Sequence, residues 1–216
     1  MTVEQAASRE RLRYPEGDIV VISGLPGSGK STLMRRTRPP AEVLLIDSQY
    51  VRERWARKLG ARLPYAVYRP LVRVDHYARL RVAVRAGGSL VVHDCGTLPW
   101  VRWWLTRQAR RYGRGVHVVV LDVPAEVARE RQERRGRAVS RYAFARHRWA
   151  HRRLLDWARA GRPAVGCDSV LVLDGQAAGA LRSISFGGAV RAAARGTGRA
   201  AHGTDLRAAG AAATGR

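Results

Sequence analysis

The chain has 216 residues, of which 46% are hydrophobic, and carries a net charge of +23. This length is sufficient for one α/β domain with a full core and excludes two domains of ordinary size. The charge comes almost wholly from arginine, because Lys30 and Lys58 are the only lysines. Two interpretations of this charge are open. An arginine-rich surface attracts polyanions such as nucleic acid in a salt-dependent way, or the arginines are solvated and bind no partner.

The two cysteines, Cys95 and Cys167, have no CxxC partner and no metal-ligand spacing, which predicts reduced thiols in a cytoplasmic protein. The charged N-terminus lacks the apolar stretch of a secretory signal. No apolar run approaches the roughly 18 residues that span a bilayer. The sequence therefore predicts a cytoplasmic protein with no membrane partner.

Short apolar runs bounded by polar or turn residues predict five strands, at 19–23, 43–46, 90–93, 116–121 and 170–173. Because these runs do not alternate with polar residues, they are typical of strands buried on both faces of a parallel sheet. Helical stretches separate the strands, at 48–60, 71–86, 100–112, 124–135 and 141–159. This alternation predicts an α/β fold with a mostly parallel five-stranded sheet and helices on both faces.

The domain is predicted to span residues 18–185, after an N-terminal extension at 1–17 and before a tail at 186–216. The tail is rich in Ala, Gly and Arg and has few large apolar residues. Such a composition cannot bury enough apolar surface to offset the ordering entropy, so we expect disorder there. An alternative is that the arginines of the tail reach an acidic partner.

The most specific motif is a phosphate-binding loop of the form G-x-x-x-x-G-K-[ST], followed by Thr32. It lies between the first predicted strand and a helix, where backbone N–H groups and the helix N-terminus bind a phosphate. Lys30 is expected to reach the β- and γ-phosphates of ATP, and Ser31 to bind Mg²⁺. The predicted nucleotide-binding residues are Gly24, Leu25, Pro26, Gly27, Ser28, Gly29, Lys30, Ser31 and Thr32.

Two further predicted strands end in an acidic residue, Asp47 and Asp94. Ligands of open parallel sheets bind beyond the carboxyl ends of the strands, so both acids should share the edge that carries the phosphate loop. Asp47 is predicted to accept the proton of an attacking hydroxyl, and Asp94 to belong to the Mg²⁺ site. Alternatively, Asp47 caps the helix that follows. Arg52 and Arg54 are weaker candidates for contacting a phosphate or the acceptor.

Residues 129–137 form an arginine-rich segment in which Arg131 and Arg134 are three residues apart, hence on one helix face. Arginines on a mobile lid stabilise the charge of a transferring phosphoryl group and exclude water, which is the role predicted for this pair. The alternative is a solvated helix in which Glu130 and Glu133 pair with the arginines.

Other histidines and aromatic residues are interpreted as structural. His93 is expected to be a packed strand residue, and His76 a residue of the surface or a loop. Near a basic surface, tryptophans can stack on nucleic-acid bases, but their helical spacing favours packing between helices. The tryptophans concerned are Trp100, Trp103, Trp104, Trp149 and Trp157.

This order of motifs resembles the small P-loop kinases, with most likeness to the polynucleotide-kinase and zeta-toxin-like branch, often labelled AAA-family ATPases. The likeness covers about residues 18–175 and includes the Asp-x-Pro turn at 122–124. It implies a Mg²⁺-ATP phosphotransferase with an adenylate-kinase-like sheet and a short arginine-rich lid. By the same resemblance, Asp47 activates the acceptor hydroxyl, while Arg131 and Arg134 contact the ATP phosphates.

The acceptor is left open by the sequence. It is a hydroxyl of a small molecule, such as a nucleoside, a sugar or an antibiotic, or the 5′ end of a polynucleotide. Two alternatives to an ordinary kinase also stand: a nucleic-acid-binding or regulatory ATPase without a small acceptor, and a zeta-toxin-like kinase that phosphorylates a cell-wall sugar nucleotide.

Overall fold

The computed structural model describes residues 3–5, 10–37, 42–59, 62–93, 99–134, 140–161 and 166–187. Within these ranges the strands are β1 (Val3–Gln5), β2 (Arg11–Tyr14), β3 (Ile19–Gly24), β4 (Leu44–Ile46), β5 (Leu90–His93), β6 (Val116–Asp122), β7 (Ser169–Asp174) and β8 (Ser183–Phe186). The helices are α1 (Lys30–Arg36), α2 (Ser48–Leu59), α3 (Tyr65–Ala86), α4 (Pro99–Arg111), α5 (Ala125–Glu133), α6 (Arg141–Arg159) and α7 (Gly175–Ala180).

The five predicted strands all lie in one parallel sheet, which confirms the predicted α/β fold. The strand order is β1-β7-β6-β3-β5-β4, so the short strand β1 extends the predicted sheet at one edge. Every residue of β3 is buried, as expected for a central strand covered on both faces. Its register pairs Ile22 with His93 of β5 and Gly24 with Leu121 of β6. The carboxyl ends of these three strands therefore meet at one edge.

Helices cover both faces of the sheet, as predicted. On one face, α3, α4 and α6 pack through Leu80, Leu105 and Leu154. On the other face, α1 and α7 pack together with a ribbon in which β2 and β8 pair in parallel. The predicted N-terminal extension therefore contributes a buried strand, with Leu12 and Tyr14 turned inward. The predicted disordered tail lies, from residue 188 onward, outside the described residues.

Helices α2 and α3 form a pair inserted between β4 and β5. With 22 residues, α3 is about 33 Å long, whereas the four residues of β5 span only about 13 Å. The first half of α3 therefore extends beyond the carboxyl edge of the sheet. It begins earlier than predicted and continues through Pro70, because Tyr65 and Tyr68 pack against α2 and hold this turn in place.

A cluster around Asp75 joins the two helices. Its carboxylate accepts hydrogen bonds from Arg54 at 2.6 Å, from the Trp55 indole at 2.9 Å and from Arg79 at 3.0 Å. Arg52 stacks on Tyr65, with its guanidinium carbon 4.4 Å from the ring centre. Arg52 and Arg54 thus hold α2 against α3, which removes the main reason to assign them to a phosphate.

His76, on the same helix, is only 8% exposed, so the expectation of a surface residue is wrong. His76 lies on α3, which packs both against α2 and against the sheet, and the neighbouring Asp75 had indicated a surface position. Among the described helices, none combines the length and the apolar character that a membrane crossing requires.

Candidate nucleotide-binding and catalytic site

The phosphate loop connects β3 to α1, as its sequence predicts. Gly27 and Gly29 have φ angles of +87° and +97°, in the left-handed region that glycine adopts without strain. The N–H of Leu33 bonds the Gly29 carbonyl at 2.9 Å and begins α1. The loop therefore wraps around the start of the helix, which leaves backbone N–H groups available to an anion.

Lys30 lies inside this loop and is only 4% exposed. Its Nζ donates to the carbonyls of Gly24 at 2.8 Å and Leu25 at 2.7 Å. Ser28 is also buried, and its Oγ has no hydrogen-bond partner within the described part of the chain. Ser31 is half-buried, whereas Thr32 is exposed. A buried ammonium and an unpaired hydroxyl inside a glycine-rich loop fit a bound triphosphate.

Helix α5 lies directly against the loop. A Cβ atom placed on Gly27 would come within 2.0 Å of the Ala128 carbonyl oxygen and 3.0 Å of Gln132 Cγ. The absence of a side chain at Gly27 is therefore what allows α5 to approach. This contact brings the start of the predicted arginine-rich lid next to the phosphate site.

The two lid arginines have different surroundings. Arg131 is exposed and precedes Gln132, so it lies beside the face of α5 that contacts the loop. Arg134 ends the helix and pairs with Glu130 one turn earlier, on the side away from that face. Arg129 and Glu133 form a second such pair at 2.9 Å. The structure thus shows the predicted glutamate pairing, and the contact of either arginine with ATP stays a prediction.

Asp47 lies at the carboxyl edge, one residue past β4, whose Ile46 pairs with Val92 of β5. Its Oδ1 accepts a hydrogen bond from the N–H of Gln49 at 2.8 Å, so Asp47 caps α2 as the alternative interpretation held. No described residue bonds its second oxygen, Oδ2, and the side chain is 27% exposed. Capping fixes the carboxylate and leaves one oxygen available to a ligand.

His93, the last residue of β5, lies beside this carboxylate. Its Nδ1 is 3.2 Å from Ser48 Oγ and 3.5 Å from Asp47 Oδ1, and its side chain is 11% exposed. Burial and the positive charge of Lys30 lower the pKa of His93 to about 4, although Asp47 acts in the opposite direction. The ring is therefore uncharged at neutral pH and lies near both Lys30 and Asp47. The sequence interpretation of a merely packed residue missed these contacts.

A second acid, Asp122, ends β6 next to the loop. Its carboxylate binds Arg159 at 3.1 Å and lies 3.9 Å from Nε2 of His151. His151 is buried, and neither of its ring nitrogens has a hydrogen-bond partner among the described residues. Burial lowers the pKa of His151, Asp122 opposes this, and Lys30 and Arg159 reinforce it. Nothing in the sequence connects these residues, because about thirty positions separate them.

The metal prediction rests on Ser31 and Asp94. Ser31 is in the loop, and Asp94 lies outside the described residues. Among the residues that the structure describes, no group of three or more His, Cys, Asp or Glu side chains could hold a metal ion. Mg²⁺ is usually bound in such sites by one or two protein oxygens together with waters and the nucleotide phosphates.

Comparisons with known proteins agree with this geometry. Residues 19–163 match the family model of the AAA domain. A shikimate kinase of Corynebacterium glutamicum is 32% identical over 108 residues, which cover 50% of this chain and 60% of that protein. The match therefore spans less than two thirds of the curated relative.

One solved structure shows the same fold, and a second is similar at a lower score. A putative kinase from Chloroflexus aurantiacus superposes with a TM-score of 0.52 at 15% identity, over 73% of this chain and 87% of that one. A shikimate kinase from Acinetobacter baumannii, solved with shikimate, gives a TM-score of 0.42 at 17% identity, over 74% and 84% of the two chains. The branch within these kinases stays a prediction. With its phosphate loop, its parallel sheet and a family match over two thirds of its length, the chain belongs to the AAA domain family.

Proposed function

We propose that this protein transfers the γ-phosphoryl group of ATP to a hydroxyl of an acceptor molecule in a Mg²⁺-dependent reaction. The observation that carries the proposal is the placement of Lys30 and Asp47. They follow β3 and β4, which flank β5 in the sheet, so they lie at its carboxyl edge on either side of the strand that ends in His93. An ammonium for phosphate and a carboxylate for a hydroxyl proton are the two groups that such a transfer requires.

When bound, ATP and Mg²⁺ supply the transferable phosphoryl group and part of the charge neutralisation. The loop from Gly24 to Thr32 cradles the triphosphate with its backbone N–H groups. Lys30 exchanges its bonds to the Gly24 and Leu25 carbonyls for phosphate oxygens. The Ser31 hydroxyl and Asp94 belong to the Mg²⁺ site.

Asp47 acts on the acceptor. Because Oδ1 is held by the N–H of Gln49, Oδ2 is the oxygen that takes the hydroxyl proton as the new O–P bond forms. His93 lies 3.5 Å from Oδ1, the oxygen that also accepts from Gln49, so it limits the movement of the carboxylate and, being uncharged, does not neutralise it. Catalysis is then mainly positioning and charge stabilisation.

The lid arginines complete the site from the opposite side. Since α5 contacts the loop at Gly27 and Arg131 lies beside that face of the helix, Arg131 is the lid arginine nearer to the phosphates. Arg134 must first leave Glu130, so its contribution requires closure of the lid. Both guanidinium groups match the charge that spreads over the phosphoryl oxygens in the transition state.

The acceptor site lies under the α2–α3 pair. Asp47 begins α2, and the first half of α3 extends past the same edge, so these helices cover the open side of the carboxylate. The relative from Corynebacterium glutamicum is named for shikimate, a small hydroxylated acid. We extend from it only the class of acceptor, a small molecule with a reactive hydroxyl.

The test is an acceptor panel with purified protein, Mg²⁺ and ATP. The panel contains shikimate, sugars, nucleosides, hydroxylated antibiotics and a 5′-hydroxyl oligonucleotide. We expect one class to be phosphorylated, and Asp47→Asn to lower kcat by at least about 100-fold, at the low end of what a general base contributes. Unchanged transfer by Asp47→Asn would exclude Asp47 as the base. ATP hydrolysis that no acceptor stimulates would instead support a regulatory ATPase.

A further inference from the structure

A groove separates α4 from α6, and none of the residues that line it belongs to the nucleotide-binding and catalytic site described above. It has a volume of about 230 Å³ and is lined by Arg102, Trp149, Ala150, Arg153, Leu154 and Trp157. We call it the α4–α6 groove. Its lining combines apolar and aromatic side chains with two arginines, of which Arg102 is buried and Arg153 is exposed.

The aromatic residues of the groove are arranged for stacking. The guanidinium carbon of Arg153 is 4.8 Å from the ring centre of Trp149 and 5.4 Å from that of Trp157. Trp157 packs partly against the core, but Trp149 is 59% exposed. The sequence interpretation of packing between helices therefore fails for Trp149 and for Trp103, which is 51% exposed. Trp100 is 56% exposed but packs edge-on against Tyr77 of α3. An exposed indole beside a fixed cation presents a free π-face.

The same two helices carry a large excess of positive charge, although Arg159 pairs with Asp122. There are four arginines on α4 and six on α6, whereas Asp156 is the single acidic residue of both. A third arginine–indole pair, Arg107 over Trp103 at 5.6 Å, lies on α4. A surface of this charge attracts phosphate backbones and repels another copy of the chain.

We propose that the α4–α6 groove binds single-stranded nucleic acid, with a base stacked on Trp149 and backbone phosphates bound by Arg153 and the neighbouring arginines. Every nucleotide provides both a planar ring and a phosphate, which are the two groups that this surface matches. A duplex keeps its bases stacked on one another, an acidic peptide provides carboxylates with few rings, and an anionic membrane provides no rings. The site is independent of phosphoryl transfer.

The experiment measures binding of the full chain to a fluorescent oligothymidylate of about 12 nucleotides by anisotropy, without ATP, between about 50 and 200 mM salt. We expect Trp149→Ala to weaken binding about tenfold, and Trp149→Phe to retain most of the affinity because it keeps a stacking face. Arg153→Gln should weaken binding and reduce the salt slope by about one. Circular dichroism verifies that each variant is folded.

The matched control is Arg57→Gln, which removes the same charge from an exposed position on α2. It should leave the affinity nearly unchanged. The proposal is overturned if Trp149→Ala binds as the unsubstituted chain does, or if Arg57→Gln weakens binding as much as Arg153→Gln. It is also overturned if a duplex, polyglutamate or an anionic vesicle of equal charge competes as well as the unlabelled oligonucleotide.

Discussion

The contact between α5 and the phosphate loop leads to a quantitative prediction for Gly27→Ala. The new methyl carbon would be placed 2.0 Å from the Ala128 carbonyl oxygen, whereas ordinary contacts of a Cβ atom begin at 3.4 Å. The loop and α5 must therefore separate by roughly 1 Å or more. This movement disrupts well-packed structure and lowers the free energy of unfolding by about 1–3 kcal/mol. The φ angle of +87° adds about 1–2 kcal/mol for a residue that has a side chain.

Gly29→Ala is the matched control within the same loop. Its φ angle is +97°, but an added Cβ meets nothing within 4 Å. Gly29→Ala therefore costs only the strain of a positive φ angle for a residue with a side chain, about 1–2 kcal/mol. Gly27→Ala should therefore lower the free energy of unfolding by about 1–3 kcal/mol more than Gly29→Ala does.

The assay is urea unfolding of the unsubstituted chain and both variants, with thermal unfolding as a second measurement. For a chain of this size, each kcal/mol corresponds to a shift in Tm of about 2–4 °C. Equal destabilisation by the two substitutions would refute the reasoning, because it would mean that α5 does not press on the loop at Gly27. The placement of the lid next to the phosphates would then lose its support.

Three further predictions concern single side chains. His93→Leu should lower kcat about tenfold with little change in KM, whereas His93→Asn should keep most of the rate because its amide nitrogen replaces Nδ1. In the Asp47→Asn background, His93→Leu should have no further effect, and fully additive effects in steady-state kinetics would contradict the contact between the two side chains. Burial raises the pKa of Asp75, but bonds from Trp55 and Arg79 and the charge of Arg54 outweigh it, and the pKa lies below 3.8. Asp75→Asn should therefore lower the free energy of unfolding by about 1–3 kcal/mol at neutral pH, and this difference from the unsubstituted chain should vanish as the pH falls through the lowered pKa. A difference that persists in acid would disprove the role of the carboxylate. Burial raises the pKa of Cys167 to about 12, so iodoacetamide at a pH of about 8 should modify this thiol far more slowly in the native protein than in urea. Mass spectrometry of the peptide that contains Cys167 measures the two rates, and equal rates would show that the thiol is accessible.

The parts of the fold that depend on local pattern could be predicted from the sequence. A central strand such as β3 is apolar throughout because both of its faces are covered, and the phosphate loop needs its glycines and Lys30 at fixed spacing. The position of Asp47 followed from topology, since parallel strands expose their carboxyl ends together.

What the sequence could not show depends on contacts between distant segments. The proximity of His93 to Asp47 results from the pairing of β4 with β5, and that of Gly27 to Ala128 from the packing of α5. Helix α3 begins before the predicted residue 71 and passes through Pro70, because packing against α2 offsets the cost of a proline within a helix. Periodicity also failed to show which tryptophans stay exposed, since α4 and α6 have more aromatic residues than their inner faces can bury.

Phosphoryl transfer itself is measured by following the γ-phosphate of labelled ATP in the presence of the acceptor panel, with the unsubstituted chain and with Lys30→Ala. We expect label to move from ATP to an acceptor hydroxyl in a reaction that requires Mg²⁺. Lys30→Ala should abolish the transfer because the buried ammonium is lost from the loop. Label that appears only as inorganic phosphate, or transfer that survives in Lys30→Ala, would contradict the proposed function.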